Sequence, residues 1–294
     1  MTATSEDVYR SRVSDEWEFV DRQDPATYDG VDGPLGKAEV EDFAANGFLF
    51  KESLFSETEV RSLLNEADRL RENAKDVDAA GVIKEPGSEI VRSVFRLHRN
   101  EVFRSLVCRD PRVVGPIRQL LGSEVYIHQS RINFKPAFDG KEFFWHSDFE
   151  TWHIEDGMPR MRAVSVAINL TETNEFNGPL MVIPRSHLKY VSCAGQTPKD
   201  HYKDSLRKQE YGVPSRDALK ELVDEAGIRA PKGAPGSALF FECNVMHGSA
   251  GNLSPYPRVG LFIVYNSVEN RLVDPFGGLP PRPVFLAERE VEPV

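Results

Sequence analysis

Three cysteines in 294 residues, Cys108, Cys193 and Cys243, are odd in number, far apart and without a Cys-x-x-Cys pair. A disulfide framework or a thiolate zinc site is therefore excluded, and a reducing cytoplasm is the expected compartment. Basic charge is also in short supply. Against 46 Asp and Glu there are 36 Lys and Arg, a formal net charge of -10, which speaks against nucleic acid or an anionic membrane as partner. No apolar run approaches the roughly 18 residues of a membrane span, and Met1–Arg10 lacks the apolar core of a secretion signal. With no glycine-rich phosphate loop, nucleotide binding has no support.

What the chain does have is length enough for a large core, since a single domain of this size buries roughly three quarters of its unfolded surface. The acids are unevenly spread: up to Gly33 there are nine acids against three bases. Together with the turn formers Asp24-Pro25, Asp29-Gly30 and Asp32-Gly33-Pro34, this reads as a solvated acidic arm over residues 1–36. Residues 37–294 then form one domain, with a helical lead-in (37–122), a β core (123–270) and a tail (271–294). In the lead-in, Ala38–Asn46 is a short helix stopped by Asn46-Gly47, and Phe48-Leu49-Phe50 a short strand. A capping box at Ser56–Glu59 starts a helix whose stripe is Val60, Leu63, Leu64, Ala67 and Leu70. Asp110-Pro111 opens another, carrying Val113, Val114, Ile117, Leu120 and Leu121. These stripes are core.

After Gly122 the texture changes to strands and turns: Glu124–Phe134, Ala163–Leu170, Leu180–Ile183, Ser237–Cys243 and Val259–Tyr265. Many short strands without βαβ alternation predict a mainly β protein with flanking helices, an antiparallel sandwich or barrel. By the two-residue period, Gln129, Arg131, Asn133 and Lys135 share one face, so that face is solvated or lines a polar pocket.

The chemistry concentrates in Phe143–His153. His146 and Asp148, placed in a strand, project to one face and can grip one metal; Asn244-Val245-Met246-His247-Gly248-Ser249 supplies a second histidine, and Arg258 follows eleven residues later. Two histidines and a carboxylate occupy one face of an octahedral metal and leave three positions open, which suits Fe(II) oxygen chemistry. Either histidine alone reads more simply as a core or surface residue; the combination makes the metal reading the better one. His128, His153 and His187 lack this context, and His98 and His201 read as surface.

His146-x-Asp148, Asn177-Gly178-Pro179-Leu180 running into Pro184-Arg185-Ser186-His187, His247 and Arg258 resemble the phytanoyl-CoA dioxygenase family. Within it, Phe144-Trp145-His146-Ser147-Asp148-Phe149-Glu150-Thr151-Trp152-His153 through Glu155-Asp156-Gly157-Met158-Pro159 is similar to the signature of the ectoine hydroxylases. The resemblance spans Val40 to Phe276. It implies a double-stranded β-helix, a cupin-type jelly roll, with Fe(II) on His146, Asp148 and His247 and with 2-oxoglutarate and O2 as co-substrates. A carboxylate at position 148 argues against halogenation, which needs that coordination position open for chloride. Arg258 offers a planar fork to the distal carboxylate of 2-oxoglutarate. Ser249 adds a hydroxyl, the resemblance adds Lys135, and Asn133 on the same strand face joins this set.

The substrate implied is L-ectoine, a cyclic zwitterion converted to 5-hydroxyectoine. A delocalised cation wants aromatic faces and a carboxylate wants hydrogen bonds or an arginine. Trp152, Phe241 and Phe262 are the expected aromatic walls, Gln129 is a substrate contact by resemblance, Thr151 supports it, and Arg282 is a carboxylate candidate. A homodimer follows from resemblance alone. Competing readings are the same oxygenase chemistry on another small zwitterion such as proline, and a non-catalytic cupin-like binder or zinc hydrolase built on the same ligands.

Overall fold

The computed structural model describes residues 7–74, 81–85, 87–200, 202 and 211–294; His201 lies outside them. Strands β1 (Phe19–Asp21), β2 (Phe48–Lys51), β3 (Val82–Lys84), β4 (Val91–Phe95), β5 (Val125–Lys135), β6 (Phe143–His146), β7 (Ala163–Asn169), β8 (Leu180–Val182), β9 (Lys189–Val191), β10 (Ala238–Glu242), β11 (His247–Ser249) and β12 (Arg258–Ser267) alternate with α1 (Lys37–Asn46), α2 (Glu57–Ala74), α3 (Glu101–Phe103), α4 (Pro111–Leu121), α5 (Asp148–Thr151) and α6 (Arg216–Ala226). A major sheet runs β2-β10-β7-β12-β5-β4-β3, a minor one β6-β11-β8, and β1 pairs with β9. All pairings are antiparallel. The two larger sheets form the double-stranded β-helix expected from the sequence.

Strand alternation divides the major sheet between two environments. Val166 and Ile168 of β7, Phe240 of β10, and Leu261 and Ile263 of β12 pack with Leu63, Ala67, Ile117 and Leu120 of α2 and α4. The opposite face puts Ala167, Leu239, Phe241 and Phe262 against Val182 and Leu180 of the minor sheet. Both expected helices form as read. Ser56 and Glu59 exchange hydrogen bonds at the start of α2, and the Asp110 side chain accepts from the Arg112 amide.

Four expectations need correction. The lead-in is not wholly helical: besides β2 it contributes β3 and β4, which extend the major sheet beyond β5. Their short length and the broken stretch between them hid the alternation. The acidic arm is not solvated, because Tyr9 is completely buried and Ser11 and Arg12 nearly so, while β1 pairs with β9. Its acids do lie mostly outward, but Arg12 and Arg22 point inward. Strict alternation also fails in β5. Val264 faces Gln129 while Tyr265 faces Ile127, so His128 is an extra, bulged residue. Val125 and Ile127 thereby reach the helical core together with Ile132 and Phe134. Finally, His98 is half-buried and bonded through Nδ1 to Ser130 Oγ at 2.6 Å rather than lying on the surface.

Leu63 is fully buried where α2 meets the sheet. Leu63→Ala is expected to cost about 2–5 kcal/mol, read as a lower urea midpoint with unchanged slope; a change below 1 kcal/mol (roughly the range of surface substitutions) would contradict this packing.

Candidate active site

His146 closes β6 and His247 opens β11, and the two are direct cross-strand partners, their rings 4.2 Å apart. Asp148 does not lie in the strand, as the sequence suggested. Ser147 is the last extended residue, and α5 starts at Asp148. The chain turns instead of pleating, yet the carboxylate still meets both imidazoles: His146 Nε2 is 3.5 Å from Oδ1 and His247 Nε2 is 3.8 Å from Oδ2. Ligand atoms of the three residues lie within 4.8 Å of one another.

The imidazoles are oriented identically. His146 Nδ1 faces Phe144 O at 2.8 Å and His247 Nδ1 faces Val245 O at 3.0 Å. A carbonyl oxygen only accepts, so each Nδ1 carries a proton and each Nε2 is the nitrogen turned toward Asp148. Burial, then His146, pushes the His247 imidazolium down to about 4, leaving it neutral at physiological pH. Burial alone would raise the Asp148 carboxyl, but His247, His146 and Arg131 outweigh it and hold it well below the usual carboxylate range. Two imidazole nitrogens converging on one anionic oxygen fit a divalent transition metal.

His146 and His247 open onto a cavity lined also from β4, β5 and β12. Its far wall is the β5/β12 ladder, where Arg258 pairs with Lys135, Gly260 with Asn133, and Phe262 with Arg131. Of the row that the sequence placed on one face, Arg131, Asn133 and Lys135 line this cavity. Arg258 is buried, makes no ion pair among the described residues, and leaves Nε without a hydrogen-bond partner; burial pulls its guanidinium down to about 10. Lys135 Nζ donates to Ser249 Oγ at 2.9 Å and to Ala250 O. Burial first, then Arg258 and Arg92, pushes its ammonium down to about 6. Asn133 Oδ1 accepts from Ser93 Oγ at 2.8 Å.

The expected substrate residues are brought together only in part. Phe262 lines the cavity, and Phe241 packs 5.0 Å from the His247 ring. Gln129 is buried, donating to Leu286 O at 2.7 Å and accepting from Arg131 Nη1 at 2.9 Å. Trp152 does not line this cavity; it is buried with Phe149, Met158 and Tyr190 and meets the bulged His128 edge-on at 5.1 Å. Thr151 faces Arg12, at 3.4 Å. Arg282 borders a second cavity with Tyr202 and Pro281, and its guanidinium is engaged by Asp156 at 2.8 and 2.6 Å. α5 and the turn after it carry Thr151 and Trp152 away from the metal face, which strand-like spacing could not reveal.

Several cavity residues were missed. Arg92, Ser93 and Phe95 come from β4, whose strand character went unread. Arg131 lay in the polar row all along. It is half-buried, makes no ion pair among the described residues, and stacks 5.3 Å from Phe262 and 5.9 Å from Phe95.

A double-stranded β-helix with two histidines and a carboxylate at its mouth is the architecture of a non-heme, metal-dependent oxygenase. The chain belongs to the phytanoyl-CoA dioxygenase (PhyH) family, whose pattern matches residues 43–260. It is 49% identical to the ectoine dioxygenase of Bordetella bronchiseptica over 99% of this chain and 95% of that one. The ectoine dioxygenase of Halomonas elongata is 46% identical, over 98% and 87%. Among solved structures, EctD from S. alaskensis with 2-oxoglutarate and 5-hydroxyectoine superimposes with a TM-score of 0.88 at 44% identity, covering 98% of this chain and 96% of that one. The carbocyclase SnoK, at 20% identity and TM-score 0.58 over 79% of this chain and 84% of that one, shares the fold alone.

Asp148→Ala should leave the circular dichroism of the protein unchanged while abolishing stoichiometric iron uptake under anaerobic reconstitution. Full iron occupancy in this variant would remove Asp148 from the ligand set.

Proposed function

We propose that this chain is an Fe(II)- and 2-oxoglutarate-dependent dioxygenase that hydroxylates L-ectoine to 5-hydroxyectoine, releasing succinate and CO2. The reaction type is supported by one observation above others: Arg258 is a buried cation with no anionic partner among the described residues, in the same cavity as His146 and His247. An oxidative co-substrate with a free carboxylate answers that charge, whereas a hydrolase has no use for it. Full-length likeness to ectoine dioxygenases supports the substrate.

In this reading His146, Asp148 and His247 hold Fe(II). Bound iron and 2-oxoglutarate supply the activation of O2, with oxidative decarboxylation of the co-substrate coupled to insertion of one oxygen atom into a substrate C–H bond. The protein's own contribution is placement. Arg258 presents a two-point fork to the distal carboxylate, Lys135 adds positive charge beside it, and Ser249 and Asn133 supply hydrogen-bonding groups. Phe134, Phe143 and Phe262 wall the cavity with apolar surface and keep water from the reacting atoms. Ectoine lies against Gln129, Arg131 and Phe262, its carboxylate toward Arg131 and its ring toward the aromatic face. Phe241 supports His247, while Thr151, Trp152 and Arg282 stand outside this cavity, against Arg12, His128 and Asp156. Residues 37–294 form the catalytic domain, working in the cytoplasm as a homodimer; the three thiols are unpaired, as a reducing compartment requires.

The direct test is succinate formation that depends on ectoine, with 5-hydroxyectoine identified by mass spectrometry and NMR. Succinate release without a hydroxylated product would sink the substrate assignment. Arg258→Ala should raise the KM for 2-oxoglutarate far more than that for ectoine, because an ionic partner left unpaired costs on the order of 2–5 kcal/mol. The opposite split would exchange the two binding walls.

Lys135 supplies a pH signature. Its folded pKa, about 6, lies below the usual lysine value, so near neutral pH the ligand-free protein lacks a proton that a dianion beside it would restore. Binding of 2-oxoglutarate should take up to about one proton, measured by calorimetry in buffers of different ionisation enthalpy. Ligand-free stability should also rise with pH between about 6 and the unfolded lysine value, since the unfolded chain binds the extra proton there. Lys135→Met should abolish the uptake; persistence of the full uptake would assign it elsewhere.

A further inference from the structure

Arg12 and Arg22 are two of the three bases in the acidic arm, and both leave it for the interior. Arg12 Nε and Nη2 donate to the two oxygens of Glu150 at 2.9 and 2.6 Å, and Nη1 donates to Glu155 at 2.6 Å and to Thr197 Oγ1 at 2.9 Å. Ser11 Oγ adds a third hydrogen bond to Glu150 at 2.5 Å. Arg12 itself sits in the left-handed region at φ 57°, a conformation that costs an arginine roughly 1–3 kcal/mol and persists only where surroundings enforce it. Over the pair lies Gly212, where any Cβ would collide with the guanidinium and with Glu150 Oε2. Glu150 stands two residues beyond Asp148 on the same short helix.

Arg22 makes the matching contact on the other segment. Its Nη2 donates to Glu242 Oε1 at 2.9 Å, and Nη1 and Nε cap His187 O and Asp24 O. Glu242 Oε2 accepts the Asn244 amide at 2.6 Å, and Asn244 Oδ1 accepts from Ser147 Oγ at 2.9 Å. Ser147 is the residue between His146 and Asp148. Asn244 also bonds back to Lys189 O at 2.8 Å and stands three residues before His247. One arginine thus fixes the helix that carries the carboxylate ligand. The other fixes a chain of hydrogen bonds joining the segments that carry both histidines.

We propose that Arg12 and Arg22 form a two-point clamp through which the N-terminal arm positions the metal ligands, so that they act as positioning residues for the site. The proposal rests on the reading of His146, Asp148 and His247 as a metal site and extends it to an arm whose composition suggested only a solvated lead-in. Removing either arginine alone would strand a buried carboxylate and confuse folding with positioning. The decisive variants are therefore the neutral pairs Arg12→Met/Glu150→Gln and Arg22→Met/Glu242→Gln. Arg12→Lys and Arg22→Lys, which keep the charge but lose the fork, decide the matter if a neutral pair fails to fold.

The apo-protein is titrated with Co(II) alone, following the visible cobalt absorption and competition with a chelator, beside thermal melting of each variant. Outer partners of metal ligands typically carry roughly 10–100-fold in metal affinity. Folded variants should bind Co(II) weaker by that factor, with a changed cobalt spectrum and more succinate formed per hydroxylated product. Folded variants with wild-type Co(II) affinity, spectrum and coupling would reduce both arginines to packing and overturn the clamp. Wild-type protein that binds no Co(II) would overturn the metal reading itself, and the clamp with it, an outcome distinguishable from wild type and variants that bind alike.

Discussion

Charge that cannot be left unneutralised inside a protein governs the organisation of this molecule. Taking a guanidinium or ammonium out of water costs several kcal/mol unless something anionic meets it. The cavity nevertheless gathers Arg258, Lys135 and Arg131 on one ladder. Two of these groups carry buried nitrogens with no hydrogen-bond partner, and all three are pushed toward deprotonation by burial. Such an arrangement is unstable on its own account and becomes favourable when anions enter. The cost of burying these cations is thus the counterpart of an affinity for anionic ligands.

Strand pairing makes that concentration of charge achievable. Antiparallel neighbours place opposed side chains on one face within about 5.5 Å, so the pairs Arg258/Lys135 and Phe262/Arg131 are consequences of one register. The same rule sets His146 opposite His247 on the minor sheet. With Leu239, Phe241 and Val182 packed between the sheets, the histidine pair and the cation ladder are held across a fixed gap. The bulge at His128 matters here: it returns Val125 and Ile127 to the helical core without turning the polar row of β5 out of the cavity.

How far this was legible in the sequence depended on the length of each pattern. The helical stripes of α2 and α4 run for three turns or more, and their caps have specific side-chain chemistry, so both could be read directly. The polar row of β5 and the apolar run of β12 were equally plain. Strands of three to five residues, such as β3 and β4, carry too few alternations to stand out, and the pocket residues on β4 were lost with them. The metal set was legible because His-x-Asp and the later histidine are rare in combination, although the geometry behind it was a strand-to-helix turn rather than a pleat. That turn is also why Thr151 and Trp152 could not be placed from spacing: a residue beyond Asp148 advances about 100° around a helix rather than 180° along a strand.

The inner arginines separate into two kinds by where their carboxylate lies. Arg12 and Arg22 find theirs in the chain itself, at Glu150 and Glu242; burial alone would lower these guanidinium groups, but the adjacent carboxylates outweigh it and raise them. Arg131 and Arg258 make no direct ion pair among the described residues, and burial lowers them. A closed pair resists disruption, because removing one partner strands the other in a medium that cannot solvate it. An open cation invites a ligand for the same reason. Surface pairs such as Arg61 with Glu57 contribute little to either function, since water screens them. Composition could not make this distinction, for the acidic arm looked uniformly solvated while two of its three bases were committed to the interior. Closed pairs therefore frame the segments that carry the metal ligands, while open cations leave a charge that an anion can answer. The same residue type performs both tasks, and only the position of its counter-charge decides which.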